Sequence, residues 1–135
     1  MEQLRRIAWV PVLWGVLTDV FLSQLMGLGV SVAVGIDPDT DAALAESLLR
    51  ASPLFWPAFV LGIAFSGLGG YLAGRLARRE GAFHGTLTAF ISNIVFSLLL
   101  GAPPSDTLTT LGLMLAILAG TLGGWIATRG MPLES

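Results

Sequence analysis

The sequence predicts an all-α, polytopic membrane protein with four transmembrane helices, and three observations predict it. Four runs, at about 7–34, 53–74, 82–101 and 108–128, are apolar over lengths that suit a hydrocarbon core, which takes about 20 helical residues to cross. The 135-residue chain is 54% apolar and 12% charged, with a mean hydropathy of +0.79, whereas a soluble domain carries about 25% charged residues. The basic residues, all arginine, crowd onto alternate connections. Together these predict one membrane domain over residues 1–135.

The first span follows Arg5 and Arg6 and is far longer than the roughly 7–15 apolar residues of a cleaved signal. Pro11 stands near its start, where proline begins or kinks a helix. Ser52-Pro53 reads as an N-cap and first helical position for the second span. Pro103, Pro104, Ser105 and Asp106 end the third span and offer caps to the fourth. Between the first two spans, residues 41–50 form a short amphipathic helix, with Leu44, Leu48 and Leu49 towards the membrane surface and a Glu46–Arg50 pair. The preceding Asp37-Pro38-Asp39-Thr40-Asp41 has the opening of a calcium loop. That loop needs Gly at its sixth position and Glu at its twelfth, and Ala42 and Leu48 stand there instead.

Arginine placement orients the bundle, because positively charged connections stay cytoplasmic. With the N-terminus inside, Arg5, Arg6, Arg75, Arg78, Arg79 and Arg129 are inner and Arg50 alone is outer. The expected location is therefore the cell membrane, multi-pass, with both termini cytoplasmic. Trp9, Tyr71 and Trp125 fall near the inner interface and Trp56 near the outer one, where amphipathic rings collect. Arg75, Arg78 and Arg79 are candidates for anionic headgroups, at about 1 kcal/mol per basic residue.

Residues 66–75, SGLGGYLAGR, recur as GTLGGWIATR at 120–129, and Gly15, Leu17 and Thr18 recur as Gly85, Leu87 and Thr88. The pattern predicts a 2+2 parallel repeat about an axis along the membrane normal. Each span also carries small or polar residues four apart: Gly15, Asp19, Ser23, Gly27; then Gly62, Ser66, Gly70, Gly74; then Gly85, Ala89, Asn93, Ser97; then Gly112, Ala116, Gly120, Gly124, Thr128. Lipid is as apolar as Leu, so membrane helices associate where small residues let backbones approach. The four stripes are expected to face the interior, with Leu, Phe and Val outside.

Asp19 is the only charged residue within a span, and intramembrane acids usually face the bundle and mark functional paths. At about 1.5 Å per residue, Asp19 lies roughly 18 Å from Ile7 and Asn93 about 15 Å from Phe83. Both are near mid-membrane, which predicts that they approach, with Ser23 and Ser66 and also Thr18, Gln24 or Ser92 as partners. Such an acid is a structural hydrogen-bonding centre, the site of a proton- or cation-coupled transporter or channel, or a residue facing a partner subunit. His84, the single histidine, reads as an interfacial cap or hydrogen bond. One histidine without companions makes no metal site, and no cofactor or metal is expected. No nucleophile–base pair or phosphate loop suggests an enzyme, and a net charge of −2 argues against nucleic acid.

Residues 69–85, GGYLAGRLARREGAFHG, resemble the middle section of the YrzE-like (DUF3792) family of small four-helix bacterial membrane proteins. The matching positions are Gly69, Gly70, Ala73, Gly74, Arg75, Gly81, His84 and Gly85. The resemblance implies the four-helix architecture and, since that family has no established activity, no mechanism; Asp19 lies outside it. Small multidrug transporters also carry an acid in helix one, but they are shorter, use Glu and lack the longer outer loop. The expectation is a nonenzymatic membrane protein that works by helix–helix association, as a homo-oligomer or as an accessory subunit among other membrane subunits, with membrane lipids as its surroundings.

Overall fold

A computed structural model describes residues 7–100 and 106–129. Arg5, Arg6 and residues 101–105, which bear on the orientation and on the end of the third span, lie outside the described residues. Within them the chain is all-helical: α1 Trp9–Val34, α2 Ala42–Ala51, α3 Phe55–Ala77, α4 Gly81–Leu100 and α5 Thr107–Thr128. The four long helices, α1, α3, α4 and α5, are each long and apolar enough to cross a membrane, so the protein is a multi-pass membrane protein built as a four-helix bundle.

Local chemistry sets the helix boundaries. Pro11 is the third residue of α1, inside the first turn where its missing N–H breaks no helical hydrogen bond, so it starts the helix and does not kink it. Gly35 ends α1 in the left-handed conformation (φ 76°), and the following Ile36 N–H returns to the Ser31 carbonyl at 2.9 Å. Without a Cβ, glycine adopts such a φ at no steric cost. Asp41 caps α2 by accepting from Ala43 and Leu44. Asp106 caps α5 by accepting from the Thr109 N–H at 2.7 Å. The Ser52-Pro53 expectation needs correction: Ser52 is the C-cap of α2, its hydroxyl accepts from Leu54 N–H, and α3 begins two residues beyond Pro53, at Phe55. The serine hydroxyl there closes a turn between two helices and is spent before the second helix starts.

Antiparallel neighbours α3 and α4 form the centre, and α1 and α5 pack on opposite sides of that pair without meeting each other. The helices that carry the two matching segments, α3 and α5, run parallel and in contact, with Phe59 against Gly112, Gly70 against Gly120 and Gly74 against Gly124. The interior is small and the exterior large. Among the described residues the buried apolar ones are Val12, Val16, Ala73, Ala89, Ala116 and Ala127, while many large apolar side chains, Phe21, Leu98 and Leu118 among them, are exposed. That inversion suits a lipid surround, where hiding Leu gains nothing and close backbone approach gains dispersion.

Two ends follow from this arrangement. At one lie Ala8, Gly74, Gly81, Gly124 and the exposed Arg75, Arg78, Arg79 and Arg129. The tight turn there between α3 and α4 holds Arg78 and Glu80 at positive φ (59° and 47°). At the other end Arg50 pairs with Glu46 at 2.7 Å, as expected, and also with Asp106. The second pair ties the surface helix α2 to the start of α5.

Candidate functional site

Where α1, α3 and α4 converge, a polar cluster centres on Asp19, which is 3% exposed. Three packing events place it. Gly15, one turn before Asp19, lies so close to α3 that an added Cβ would stand 2.5 Å from the Gly69 carbonyl oxygen and 2.7 Å from Thr88 Cγ2. Gly69 is equally close to α1, with an added Cβ 2.7 Å from the Gly15 carbonyl oxygen and 3.0 Å from Asp19 Cβ. Ser66, one turn from Gly70, then reaches across: its hydroxyl lies 3.1 Å and 3.3 Å from the two Asp19 carboxyl oxygens.

Ser23, one turn further along α1, and Ser92 of α4 flank the same carboxyl. The Ser92 hydroxyl, although beside it, makes no well-formed hydrogen bond, and neither does that of Thr88, one turn away on α4. Both are buried, at 4% and 0% exposure. The cluster thus contains one acid, three nearby serines and one threonine, and the hydroxyls of Ser92 and Thr88 have unused capacity. A buried polar group without a partner costs about 1–3 kcal/mol, so this region is polar beyond what packing α1 against its neighbours requires. Chemically it can hold a proton or accept a small cation among oxygens.

The expected meeting of Asp19 with Asn93 does not occur as a hydrogen bond. The Asn93 amide donates to the Ala89 carbonyl one turn back on its own helix, at 2.7 Å. Residues four apart share a helix face, so Ser92 shares the Thr88 face, turned to α1, while Asn93 follows Ala89. An added Cβ at Gly120 would stand 2.6 Å from Ala89 Cβ, so that neighbouring face points to α5. Asp19 itself points inwards, which leaves no reading in which it faces a neighbouring subunit.

The small-residue stripes divide into two halves. Towards the arginine-rich end they are true contacts: added Cβ atoms at Gly70, Gly74, Gly81, Gly85, Gly120, Gly123 and Gly124 would all run into the backbone of a facing helix. Ala116 is buried, and Thr86 hydrogen-bonds Thr121 at 2.7 Å between α4 and α5. Towards the other end the glycines of the stripes meet no facing backbone, and at Gly27 the expectation of an interior position fails. Gly27 has nothing within 4 Å of an added Cβ, and Gly62 has only the flexible Met26 terminus at 3.9 Å. Gly112 meets the Phe59 ring, 2.8 Å from an added Cβ. The large Phe55, Trp56 and Phe59 rings cluster at this end, and backbones separated by rings do not touch.

His84 is fully buried and makes two hydrogen bonds. The Ala8 N–H donates to Nε2 at 3.1 Å, and Nδ1 lies 3.0 Å from the Glu80 carbonyl oxygen. Since Nε2 accepts, Nδ1 carries the proton and donates. The ring thereby satisfies an otherwise open N–H at the start of α1 and a carbonyl of the tight turn. The sequence expectation reached the hydrogen bond but not its partners, because Ala8 is 76 residues away in the chain. Arg75, Arg78 and Arg79 are exposed together at one end, and Arg129 lies 4.6 Å above the Trp125 ring.

No family model, curated protein or solved structure matches this chain.

Proposed function

We propose that this membrane protein is nonenzymatic and acts through helix–helix association, either with itself or as an accessory subunit of a membrane complex. The observation that carries the proposal is the closure of the bundle interior: backbone meets backbone at Gly15–Gly69, Gly70–Gly120 and Gly81–Gly124, and Asp19 is enclosed at 3% exposure. An interior closed around Asp19 and towards the arginine-rich end leaves the outward faces as the surfaces on which the protein can act, and the aqueous part is small. The resemblance of residues 69–85 to the YrzE-like proteins is compatible with this reading. Residence in the cell membrane, with the arginine-rich end cytoplasmic and Arg75, Arg78 and Arg79 against anionic headgroups, belongs to the same proposal. The test is purification in a gentle detergent followed by mass spectrometry of intact assemblies. Oligomers or co-purifying subunits are expected, and a lone monomer at every detergent concentration overturns the reading.

A specific observation also favours a second reading. Ser66, Ser92 and Ser23 gather around Asp19, with the hydroxyls of Ser92 and Thr88 lacking well-formed bonds, as a proton- or cation-coupled transporter or channel would need. In liposomes that reading expects proton or monovalent-cation flux from the wild type and its loss in Asp19→Asn. Equal flux from the two removes it.

A further inference from the structure

A flank of α1, beside the face that packs on the bundle, carries a second, unassigned pattern. Leu13, Leu17, Val20, Gln24, Gly27 and Ser31 follow one another at steps of 4, 3, 4, 3 and 4, which is the a/d spacing of two helices wound about each other. None of the six is buried: Leu13 and Leu17 are 58% and 51% exposed, Gln24 and Gly27 are exposed, and Val20 and Ser31 are half-buried. No helix of the described chain covers its exposed members, because α1 packs on α3 and α4 through Val12, Gly15, Val16 and Asp19 and does not meet α5.

Gln24 makes the seam more than a greasy stripe. It is exposed, and its amide has no hydrogen-bond partner among the described residues. At about 1.5 Å per residue it lies roughly 22 Å from Trp9 and 15 Å from Val34, well inside a hydrocarbon core about 30 Å thick. That depth is too great for the side chain to reach the headgroups. An amide facing lipid forgoes both its donors and its acceptor, and membrane helices answer this by hydrogen-bonding across an interface. Gly27, three residues on, has open space around it and so lets a second backbone approach beside the amide.

We infer that α1 pairs in parallel with α1 of a second copy of this chain, Gln24 to Gln24, through this seam. This inference rests on the association reading above and names its partner and surface. A second copy is the fitting occupant because glutamine is self-complementary: it donates through its NH2 and accepts through its carbonyl, so two related by a two-fold axis satisfy each other. Copies inserted by the same arginine asymmetry bring Gln24 to Gln24 at equal depth, whereas an antiparallel pair would misalign them. A single polar residue in an a/d seam also fixes register.

The chain contains no cysteine, so single cysteines report contacts cleanly. In liposomes at low protein-to-lipid ratio, Val20→Cys and Gly27→Cys are expected to form intermolecular disulfides on mild oxidation, while Leu25→Cys on another face of α1 and Leu118→Cys on α5 are not. Fluorescence energy transfer between labelled full-length copies should show that Gln24→Leu weakens self-association about tenfold. Its melting temperature should not fall, since Gln24 bonds nothing within the chain. Cross-linking strongest at Leu118→Cys, or co-purification with other subunits while the seam stays silent, overturns the α1 pairing and leaves the association reading standing. Silence at all four positions in a strictly monomeric protein overturns both. Unchanged self-association in Gln24→Leu overturns the role given to the amide.

Discussion

His84 and Asp106 show how single side chains close this structure at its two ends. His84 is the largest fully buried side chain and bridges the start of α1 to the turn before α4. His84→Ala leaves a cavity and strips the acceptor from the Ala8 N–H, so it is expected to cost about 2–4 kcal/mol, read as a lowered melting temperature in mild detergent. At the opposite end the Asp106 carboxyl is held below its ordinary value, first by the Thr109 N–H, then by the Thr109 hydroxyl, and then by Arg50. A carboxyl lowered on folding contributes stability above its unfolded pKa, and that contribution is lost as pH falls through the folded value. The wild type should therefore melt above Asp106→Leu at neutral pH, with the gap narrowing as the pH is taken down to about 3. A gap that stays constant across that range would rule out the carboxylate as its source.

At the scale of helices, contact is decided by which glycines meet backbone. Gly70 and Gly62 lie on one face of α3, eight residues apart, yet an added Cβ at Gly70 would strike the Gly120 backbone and one at Gly62 nearly nothing. Gly70→Ala is expected to destabilise by about 1–3 kcal/mol through overpacking. Gly62→Ala should be neutral or stabilising by up to about 1 kcal/mol, because alanine restricts the unfolded chain more. Thermal melts of the two variants in one detergent check the contrast; equal losses would mean that the stripe packs along its whole length. Gly70 faces the glycine backbone of α5 while Gly62 faces only the flexible end of Met26 on α1, which accounts for the difference.

For the whole molecule, the inverted interior and the charge asymmetry act together. Small residues inside and large ones outside suit the bundle to lipid, and the arginines at one end are expected to set its direction of insertion. Cysteines placed singly at Arg78 and at Asp39 should separate under a membrane-impermeant thiol reagent applied to intact cells. The Asp39 position is expected to label and the Arg78 position not to; labelling of both would contradict a single orientation.

Hydropathy and residue spacing suffice to read the four spans, the surface helix and the Glu46–Arg50 pair, because each depends on neighbours within a few residues; that Asp41 caps the surface helix instead of beginning it is seen only in the structure. The suspicion attached to Asp19 was also readable, since a charge in an apolar run is visible without knowing its surroundings. So were its serine partners, since Ser66 hydrogen-bonds the carboxyl and Ser23 and Ser92 flank it as expected; the place given to Asn93 was not readable. Ser92 and Asn93 are adjacent in sequence and about 100° apart around their helix, so a small rotation of α4 decides which one Asp19 meets. Likewise the tight and loose halves of the glycine stripes, the Ala8–His84 bond and the tie from Arg50 to Asp106 join residues far apart in the chain. They exist only once helix rotation and separation are set by all four helices packing at once, and a one-dimensional pattern of small residues carries no record of how far apart two helix axes come to rest.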